Sequence, residues 1–164
     1  MVIILMGVSG SGKTTIGNLL SKRTGFPLFD GDDFHPDPNI RKMAEGTPLT
    51  DHDRMAWIGQ IADVVNSAPT KHKILACSAL SKFIRALIIK EIKERCYFLF
   101  LKGGYDLIRE RMEKREKHYM KSGMLASQFE ALEEPESALI ISIEKSPAQI
   151  CDEISNTIRE NAEI

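Results

Sequence analysis

The first fourteen residues constrain the fold more than any other part of the chain. Residues 2–6 read VIILM, and residues 7–14 read GVSGSGKT. The second stretch matches the pattern G-x-x-x-x-G-K-[ST], and it lies between an apolar strand pattern and an amphipathic helical pattern, as this motif requires. A plain glycine-rich turn would not need lysine and threonine directly after its last glycine. The segment therefore predicts a strand, a phosphate-binding loop and a helix, in that order.

The chemistry of this loop follows from its backbone. Glycines let the chain curl closely, so that successive N–H groups converge on the β-phosphate of a nucleoside triphosphate at the positive end of the helix. Lys13 adds a charge toward the β- and γ-phosphates, and the Thr14 hydroxyl is placed to bind Mg²⁺. The residues predicted to contact the nucleotide, which we take to be ATP, are Gly7, Val8, Ser9, Gly10, Ser11, Gly12, Lys13, Thr14 and Thr15.

Beyond the loop, short apolar runs alternate with longer helical patterns. The runs are continuously apolar, which is typical of parallel strands covered on both faces. The predicted strands are residues 2–6, 27–29, 74–77, 97–101 and 138–141. The predicted helices run from near Lys13 to Gly25, from a capping-box pattern at Thr50 and Asp53, and over about residues 82–93, 105–117, 125–132 and 147–160. This alternation predicts an α/β fold with a parallel, five-stranded sheet flanked by helices.

Composition limits the classes of protein that remain. A chain of 164 residues with 43% hydrophobic residues is long enough for one domain, residues 1–164, and too short for two comfortable ones. A net charge of −1 gives no general attraction to nucleic acid or to a membrane. The three cysteines are widely spaced, which argues against a disulfide framework or a clustered zinc site. The apolar start is too short to span a bilayer and lacks a signal-peptide pattern, so we expect a cytoplasmic protein.

A pair of aspartates after the second predicted strand narrows the class further. The third strand ends in ILACS and carries no Walker-B carboxylate, and no N-K-x-D or T-K-x-D segment indicates guanine recognition. Asp30 and Asp32 lie at the carboxyl edge of the sheet, where such folds bind ligands. One carboxylate can hold Mg²⁺ through water while the other accepts a hydrogen bond from an attacking hydroxyl. This arrangement favours a small-molecule kinase, although Asp32 or Asp33 could also merely cap the next helix.

A basic cluster lies later in the chain. Arg111, Lys114, Arg115 and His118 are spaced three and four apart and share one helix face. On spacing alone, a solvated surface face explains this cluster slightly better than function does. A catalytic lid, however, needs arginines that close over the γ-phosphate, and residues 103–104 and 122–123 contain glycines that could act as its hinges.

Taken together, these motifs resemble the gluconate kinases (gluconokinases), and the match extends over nearly the whole chain. The P-loop is shared by very many proteins and says little about the substrate. Two other blocks are far more specific, and their order and spacing agree with the family. They are DGDDFHP at 30–36 with its continuation through residues 39–57, and MLASQFEALEEP at 124–135. CSAL at 77–80, Lys82, Arg85, Arg111, Arg115 and His118 complete the match.

The resemblance implies a fold like that of the nucleoside monophosphate kinases, with an acceptor-binding region at about residues 33–66 and a moving lid at about residues 109–125. It implies that Asp32 is the base on the sugar-acid hydroxyl and that Asp30 helps Thr14 to hold Mg²⁺. Lys13, Arg111 and Arg115 would take part in catalysis, with Arg111 also contacting ATP. The reaction expected is Mg-ATP-dependent phosphorylation of D-gluconate at O6, by an enzyme that forms a homodimer.

The acceptor is a polyol carboxylate, which arginine, lysine or histidine can hold. The family pattern supplies the candidates His35, Lys42, Arg54, Lys82, Arg85 and His118. The first three also have ordinary explanations: His35 as a loop residue, Lys42 as a solvated helix residue, and Arg54 as an ion-pair partner of Asp51 or Asp53. Cys77 is expected to be a small buried hydrophobe. The chain departs from the family pattern at Ala56, Ser81, Ile84, Ala86, Ser142 and Glu144, and we expect Ile84 and Ala86 to alter helix packing more than chemistry.

Two other functions remain open from the sequence. The first is a kinase of the same architecture with another acceptor, such as shikimate, a different sugar acid or a nucleoside monophosphate. The second is a nucleotide-dependent binding switch that is not an enzyme. The paired carboxylates and the basic lid argue against the switch.

Overall fold

Five parallel strands organise the computed structural model, which describes residues 1–114 and 122–162. The strands are β1 (Val2–Met6), β2 (Leu28–Asp30), β3 (Lys73–Ala76), β4 (Cys96–Lys102) and β5 (Leu139–Ser142). They form one sheet in the order β2-β3-β1-β4-β5, and every neighbouring pair is parallel. The predicted α/β fold is confirmed, and each predicted strand agrees with the observed one to within a residue.

The helices cover both faces of this sheet. They are α1 (Lys13–Thr24), α2 (Asp37–Ala44), α3 (Asp51–Ser67), α4 (Lys82–Glu91), α5 (Tyr105–Glu113), α6 (Ser122–Ala131) and α7 (Pro147–Ala162), with a short 3-10 helix at Gly31–Phe34. Helix α2 and the 3-10 helix were not predicted, because they are too short to show a helical repeat of apolar residues. The last part of the helix predicted at 105–117 lies outside the described residues. Among the described helices, none is both long and apolar enough to span a membrane.

Two predicted helix ends have the expected local chemistry. Helix α1 ends at Gly25, whose φ of 74° is left-handed and therefore suits glycine. Helix α3 begins with a complete capping box, in which the Thr50 hydroxyl accepts from the Asp53 N–H and the Asp53 carboxylate accepts from the Thr50 N–H. These local signals explain why both boundaries could be predicted.

The core is divided between the two faces of the sheet. On one face, α3 and α4 pack Trp57, Ile58 and Ile88 against β1, β3 and β4. On the other face, α1 and α7 pack Ile16 and Ile154 against the same strands, together with residues from α5 and α6. Strand β1 is fully buried between β3 and β4. The loop after β1 therefore lies at the centre of the carboxyl edge, flanked by the segments that follow β3 and β4.

Asp53 provides a test of how α3 is held. Its Oδ2 accepts hydrogen bonds from Lys42 Nζ at 2.7 Å and from the N–H and hydroxyl of Thr50 at 2.8 and 2.9 Å. The bond from Lys42, followed by those from Thr50, lowers the pKa of Asp53 from 3.8 to about 2. A lowered carboxyl pKa contributes stability that is complete above pH 3.8 and is lost as the pH falls through about 2.

We therefore expect Asp53→Asn to be less stable than the unmodified chain at neutral pH, with the difference closing between pH 3.8 and about 2. Urea unfolding across this pH range measures the effect. Asp51→Asn is the matched control, because Asp51 is exposed and its ion pair with Arg54 is long, at 3.4 Å. A stability difference between Asp53→Asn and the unmodified chain that does not change with pH would contradict the assignment.

Candidate active site

The loop after β1 has the backbone of a phosphate cradle. Gly10 and Gly12 have φ angles of 81° and 98°, a left-handed conformation that other residues rarely adopt. Gly10 also lies against helix α5, because a Cβ placed on it would be 2.7 Å from Met112 Cγ. Within the described part of the chain, the N–H groups of Gly10, Gly12, Lys13 and Thr14 donate to no other protein group. These donors are therefore available for a phosphate at the start of α1.

Lys13 curls back over this loop. Its Nζ donates hydrogen bonds to the carbonyls of Gly7 at 2.9 Å and Val8 at 3.1 Å. Burial lowers the pKa of the Lys13 ammonium, and the negative charge of Asp32 is the strongest influence in the opposite direction. Lys13 and Asp32 are therefore close enough to interact electrostatically. The ammonium is therefore held against the loop that would hold phosphates.

Asp30 and Thr14 are directly bonded, although β2 and α1 bring them from different elements. The Thr14 hydroxyl donates to Asp30 Oδ2 at 2.7 Å, and the other Asp30 oxygen accepts from the Asp32 N–H at 3.2 Å. Asp30 therefore caps the 3-10 helix, whereas α2 follows Pro36 and has no side-chain cap. A hydroxyl beside a carboxylate fits Mg²⁺, which binds few protein oxygens and completes its shell with phosphates and waters.

Trp57 and His35 support the acidic segment from below. Trp57 is buried on α3, and its indole N–H donates to the carbonyl of Gly31 at 2.7 Å. The His35 ring stacks on Trp57 with 4.4 Å between centroids and 10° between planes. Within the described structure, the buried His35 Nδ1 has no hydrogen-bond partner. Burial lowers the pKa of the His35 ring, and the negative charge of Asp32 partly offsets this effect. The ring is therefore neutral at physiological pH.

Two more predicted acceptor residues lie on α2 and α3. Lys42 is bound to Asp53 and thereby ties α2 to the first turn of α3. Within the described residues, the only ion pair of Arg54 is a long, exposed one with Asp51 at 3.4 Å. The guanidinium of Arg54 is therefore less engaged by the protein than the ammonium of Lys42.

Lys82 and Arg85 lie at the start of α4, after β3. Arg85 is only 8% exposed, and one of its amino groups donates to the carbonyls of Ala79 and Leu80, both at 2.9 Å. Lys82 pairs with Glu136 at 3.2 Å. Both residues line a cavity of about 290 Å³, whose other lining residues are Ala86, Ile89, Phe98, Pro135, Glu136, Ser137 and Ala138. No residue of the phosphate-binding loop lines this cavity.

The family departures in this region have structural roles. Ser81 caps α4, because its hydroxyl accepts from the Ile84 N–H at 3.2 Å, and Ile84 is buried in the core.

Cys77, at the end of β3, is also buried, and burial raises the pKa of its thiol to about 12. It is therefore a protonated packing residue in this site.

Arg111 is the one predicted lid arginine in the described part of the chain. It lies on α5 and donates to the carbonyl of Ile143 at 2.6 Å, directly after β5. Lys114, from the same basic cluster, pairs with Glu110 on the exposed face of the helix. Arg115 and His118 lie outside the described residues. For Lys114, the solvated face is thus the better description.

Two residues near the site had no predicted role. The Gln128 carboxamide on α6 bonds to Ser9 in the phosphate-binding loop. Glu133 accepts from the Lys82 N–H at 2.6 Å and so caps α4 in addition to Ser81. Both belong to the block at 124–135, which the sequence marked as distinctive without indicating what its side chains contact.

Comparisons with known proteins agree on the class of enzyme. The shikimate kinase family profile matches residues 9–159. A thermosensitive gluconokinase of Escherichia coli is 43% identical over 136 residues, which cover 82% of this chain and 72% of that protein. A probable gluconokinase of Xenopus tropicalis is 33% identical, covering 96% of this chain and 93% of that protein. The crystal structure of a gluconokinase from Sinorhizobium meliloti superposes with a TM-score of 0.87 at 36% identity, covering 99% of this chain and 93% of that one.

The bond from Trp57 to Gly31 gives a second prediction. Trp57→Phe keeps an aromatic ring beneath His35 but leaves the buried Gly31 carbonyl without its donor, so we expect the free energy of unfolding to fall by about 1–3 kcal/mol. Denaturant unfolding measures this change. Met55→Leu is the control, because Met55 lies on the same helix and is 49% exposed. Equal stability losses in the two variants would show that the hydrogen bond is unimportant.

Proposed function

Because the chain belongs to the gluconokinase family, we propose that it transfers the γ-phosphoryl group of Mg-ATP to the 6-hydroxyl of D-gluconate, giving 6-phosphogluconate and ADP. The chain is an ATP-dependent sugar-acid kinase. The observation that carries the proposed mechanism is the convergence of Lys13, Thr14, Asp30 and Asp32 at the carboxyl edge of the sheet.

The phosphate-binding loop would hold the triphosphate. The donors are the N–H groups of Gly10, Gly12, Lys13 and Thr14, which make no bond within the described chain. Lys13 also supplies positive charge toward the β- and γ-phosphates. The Lys13 ammonium would have to leave the carbonyls of Gly7 and Val8 to reach a phosphate. Such an exchange is favourable, because a phosphate oxygen carries more negative charge than a carbonyl oxygen.

Thr14 and Asp30 would hold Mg²⁺, since their oxygens already lie within hydrogen-bond distance of each other. When bound, the metal neutralises charge on the β- and γ-phosphates. Asp32 would accept the proton of the gluconate 6-hydroxyl as the oxygen attacks the γ-phosphorus. Asp30 would help to orient Asp32, because the bond from the Asp32 N–H to the Asp30 carboxylate fixes the turn between them.

The gluconate carboxylate needs a basic partner in the acceptor-binding region at about residues 33–66. Arg54 is the best candidate within this region, because its present pair is long and exposed and a guanidinium can bind a carboxylate through two hydrogen bonds. Lys42 is engaged by Asp53, and we assign it mainly to positioning. His35 would contact a sugar hydroxyl, and Lys82, Arg85 and His118 remain further candidates.

A lid at about residues 109–125 would complete the site. Arg111 and Arg115 would neutralise the transferring group, and Arg111 would exchange its bond with Ile143 for the nucleotide when the lid closes. The proposal also includes a homodimer and a cytoplasmic location. The location is supported by the small number and wide spacing of Cys77, Cys96 and Cys151, which fit a reducing compartment.

The main rival is a kinase with another acceptor, and the shikimate kinase profile gives it a specific basis. A coupled ADP-release assay with D-gluconate, shikimate, a second sugar acid, a nucleoside monophosphate and no acceptor separates the possibilities. We expect gluconate to have the highest kcat/KM, by at least about tenfold, because a polar site discriminates against acceptors that leave its groups unpaired. Preference for another acceptor would support the rival, and slow acceptor-independent hydrolysis would support the switch.

The role of Asp32 is tested separately. Asp32→Asn should lower kcat by about 10²–10⁴-fold, the range for loss of a general base, while ATP binding is retained. Asp33→Asn is the matched control, because it removes the neighbouring carboxylate of the same turn. Initial rates with gluconate and calorimetric ATP titrations provide the two measurements. Unimpaired transfer by Asp32→Asn would move the base to another residue.

A further inference from the structure

The block at 124–135 contacts the phosphate-binding loop through Gln128, and the proposed reaction does not use this contact. We propose that Gln128 is a positioning residue for the phosphate-binding loop, which couples helix α6 to the cradle that holds ATP. The inference rests on the proposed use of that loop for ATP, and it concerns nucleotide affinity rather than the identity of the acceptor.

The contact itself is reciprocal. Gln128 Oε1 accepts from the Ser9 N–H at 2.6 Å, and Gln128 Nε2 donates to the Ser9 hydroxyl at 3.2 Å. A carboxamide offers an acceptor and a donor together, whereas a carboxylate offers only acceptors. A glutamine is therefore matched to both the backbone and the side chain of Ser9.

The position of Ser9 gives this contact its importance. Ser9 directly precedes Gly10, which has a left-handed backbone and begins the set of N–H groups available to phosphate. The preceding part of the loop is anchored at Gly7, whose N–H donates to Ser78 at 3.2 Å. Gln128 thus supplies an anchor just before the cradle, and a shift of Ser9 would turn the following N–H groups away from a common point.

Helix α6 is itself fixed to other parts of the site. Phe129, next to Gln128, packs edge-on against Tyr105 of α5 at 5.4 Å and 65°. At the other end, the Glu133 N–H donates to Leu80 at 3.0 Å, in addition to the bond from the Lys82 N–H to the Glu133 carboxylate. The segment from α6 to Glu133 therefore connects the phosphate-binding loop with the loop after β3.

Helix α5 contacts the next residue of the phosphate-binding loop. Met112 of α5 packs against Gly10, immediately beside the Ser9 residue that Gln128 holds. The two helices that flank residues 115–121 thus contact adjacent residues of the cradle. A change in the angle between α5 and α6 would be transmitted directly to the loop.

The experiment uses the full chain with Gln128→Glu, Gln128→Ala and the control Ser127→Ala. Gln128→Glu is nearly isosteric but removes the amide donor and adds negative charge beside the phosphate site. Ser127 lies on the same helix and is exposed, and its hydroxyl donates to the Met124 carbonyl within α6. Calorimetry measures the Kd for ATP without acceptor, and initial rates give KM for ATP and for gluconate separately.

We expect Gln128→Ala to raise the Kd and KM for ATP by about two- to tenfold, the effect of one hydrogen bond of ordinary strength. Gln128→Glu should raise them further, whereas Ser127→Ala should leave them unchanged, and KM for gluconate should change little in all three variants. Unchanged ATP affinity in both Gln128 variants would overturn the proposal. Loss of thermal stability with an equal effect on both KM values would also overturn it, because that result indicates a structural role only. If the unmodified chain does not phosphorylate gluconate, the proposed function fails, but the ATP titrations still decide the role of Gln128.

Discussion

Strand β1 pairs along both of its edges, and this pairing determines where the phosphate-binding loop can lie. It aligns Leu5 with Ala76 of β3 on one side and with Leu99 of β4 on the other. Because all five strands are parallel, the segments that follow them meet at the same edge of the sheet. The phosphate-binding loop lies at the centre of this edge. The acidic segment after β2 lies on the side of β3. Thr14 of α1 and Asp30 of β2 can therefore form a hydrogen bond although they belong to different elements.

Electrostatics within this edge depend on the same geometry. The Lys13 ammonium is partly buried, which lowers its pKa, and the charges of Asp32 and Asp30 act in the opposite direction. Lys13 bonds to two carbonyls, and Asp30 bonds to a hydroxyl and a backbone N–H. These contacts hold the two side chains in the site before a ligand binds, although the Lys13 ammonium would have to leave the Gly7 and Val8 carbonyls to reach a phosphate. Trp57 binds the Gly31 carbonyl of the acidic segment and stacks on His35, which holds this segment against α3.

The parts of this architecture that could be predicted are those encoded over a few consecutive residues. The continuous apolar runs identified all five strands, and Gly25 and the Thr50–Asp53 box identified helix ends. The loop and the paired aspartates indicated the site. What the sequence could not provide were partners far apart in the chain: Ser9 with Gln128, Lys42 with Asp53, and Trp57 with Gly31. These contacts depend on how α2, α3 and α6 dock, and docking is determined by shape and burial that no local pattern records. Helix α2 was missed because one turn of apolar residues carries no detectable period.

The buried thiol of Cys77 has a consequence for how the enzyme can be studied chemically. It lies at the end of β3, within the electrostatic range of Lys13 and Asp32, and its pKa of about 12 keeps it protonated. Alkylating and oxidising reagents act on thiolates, so the closed arrangement protects this atom despite its central position. The rate at which Cys77 is labelled therefore reports how often this edge of the sheet opens to solvent. Mass spectrometry can measure this rate without an added probe.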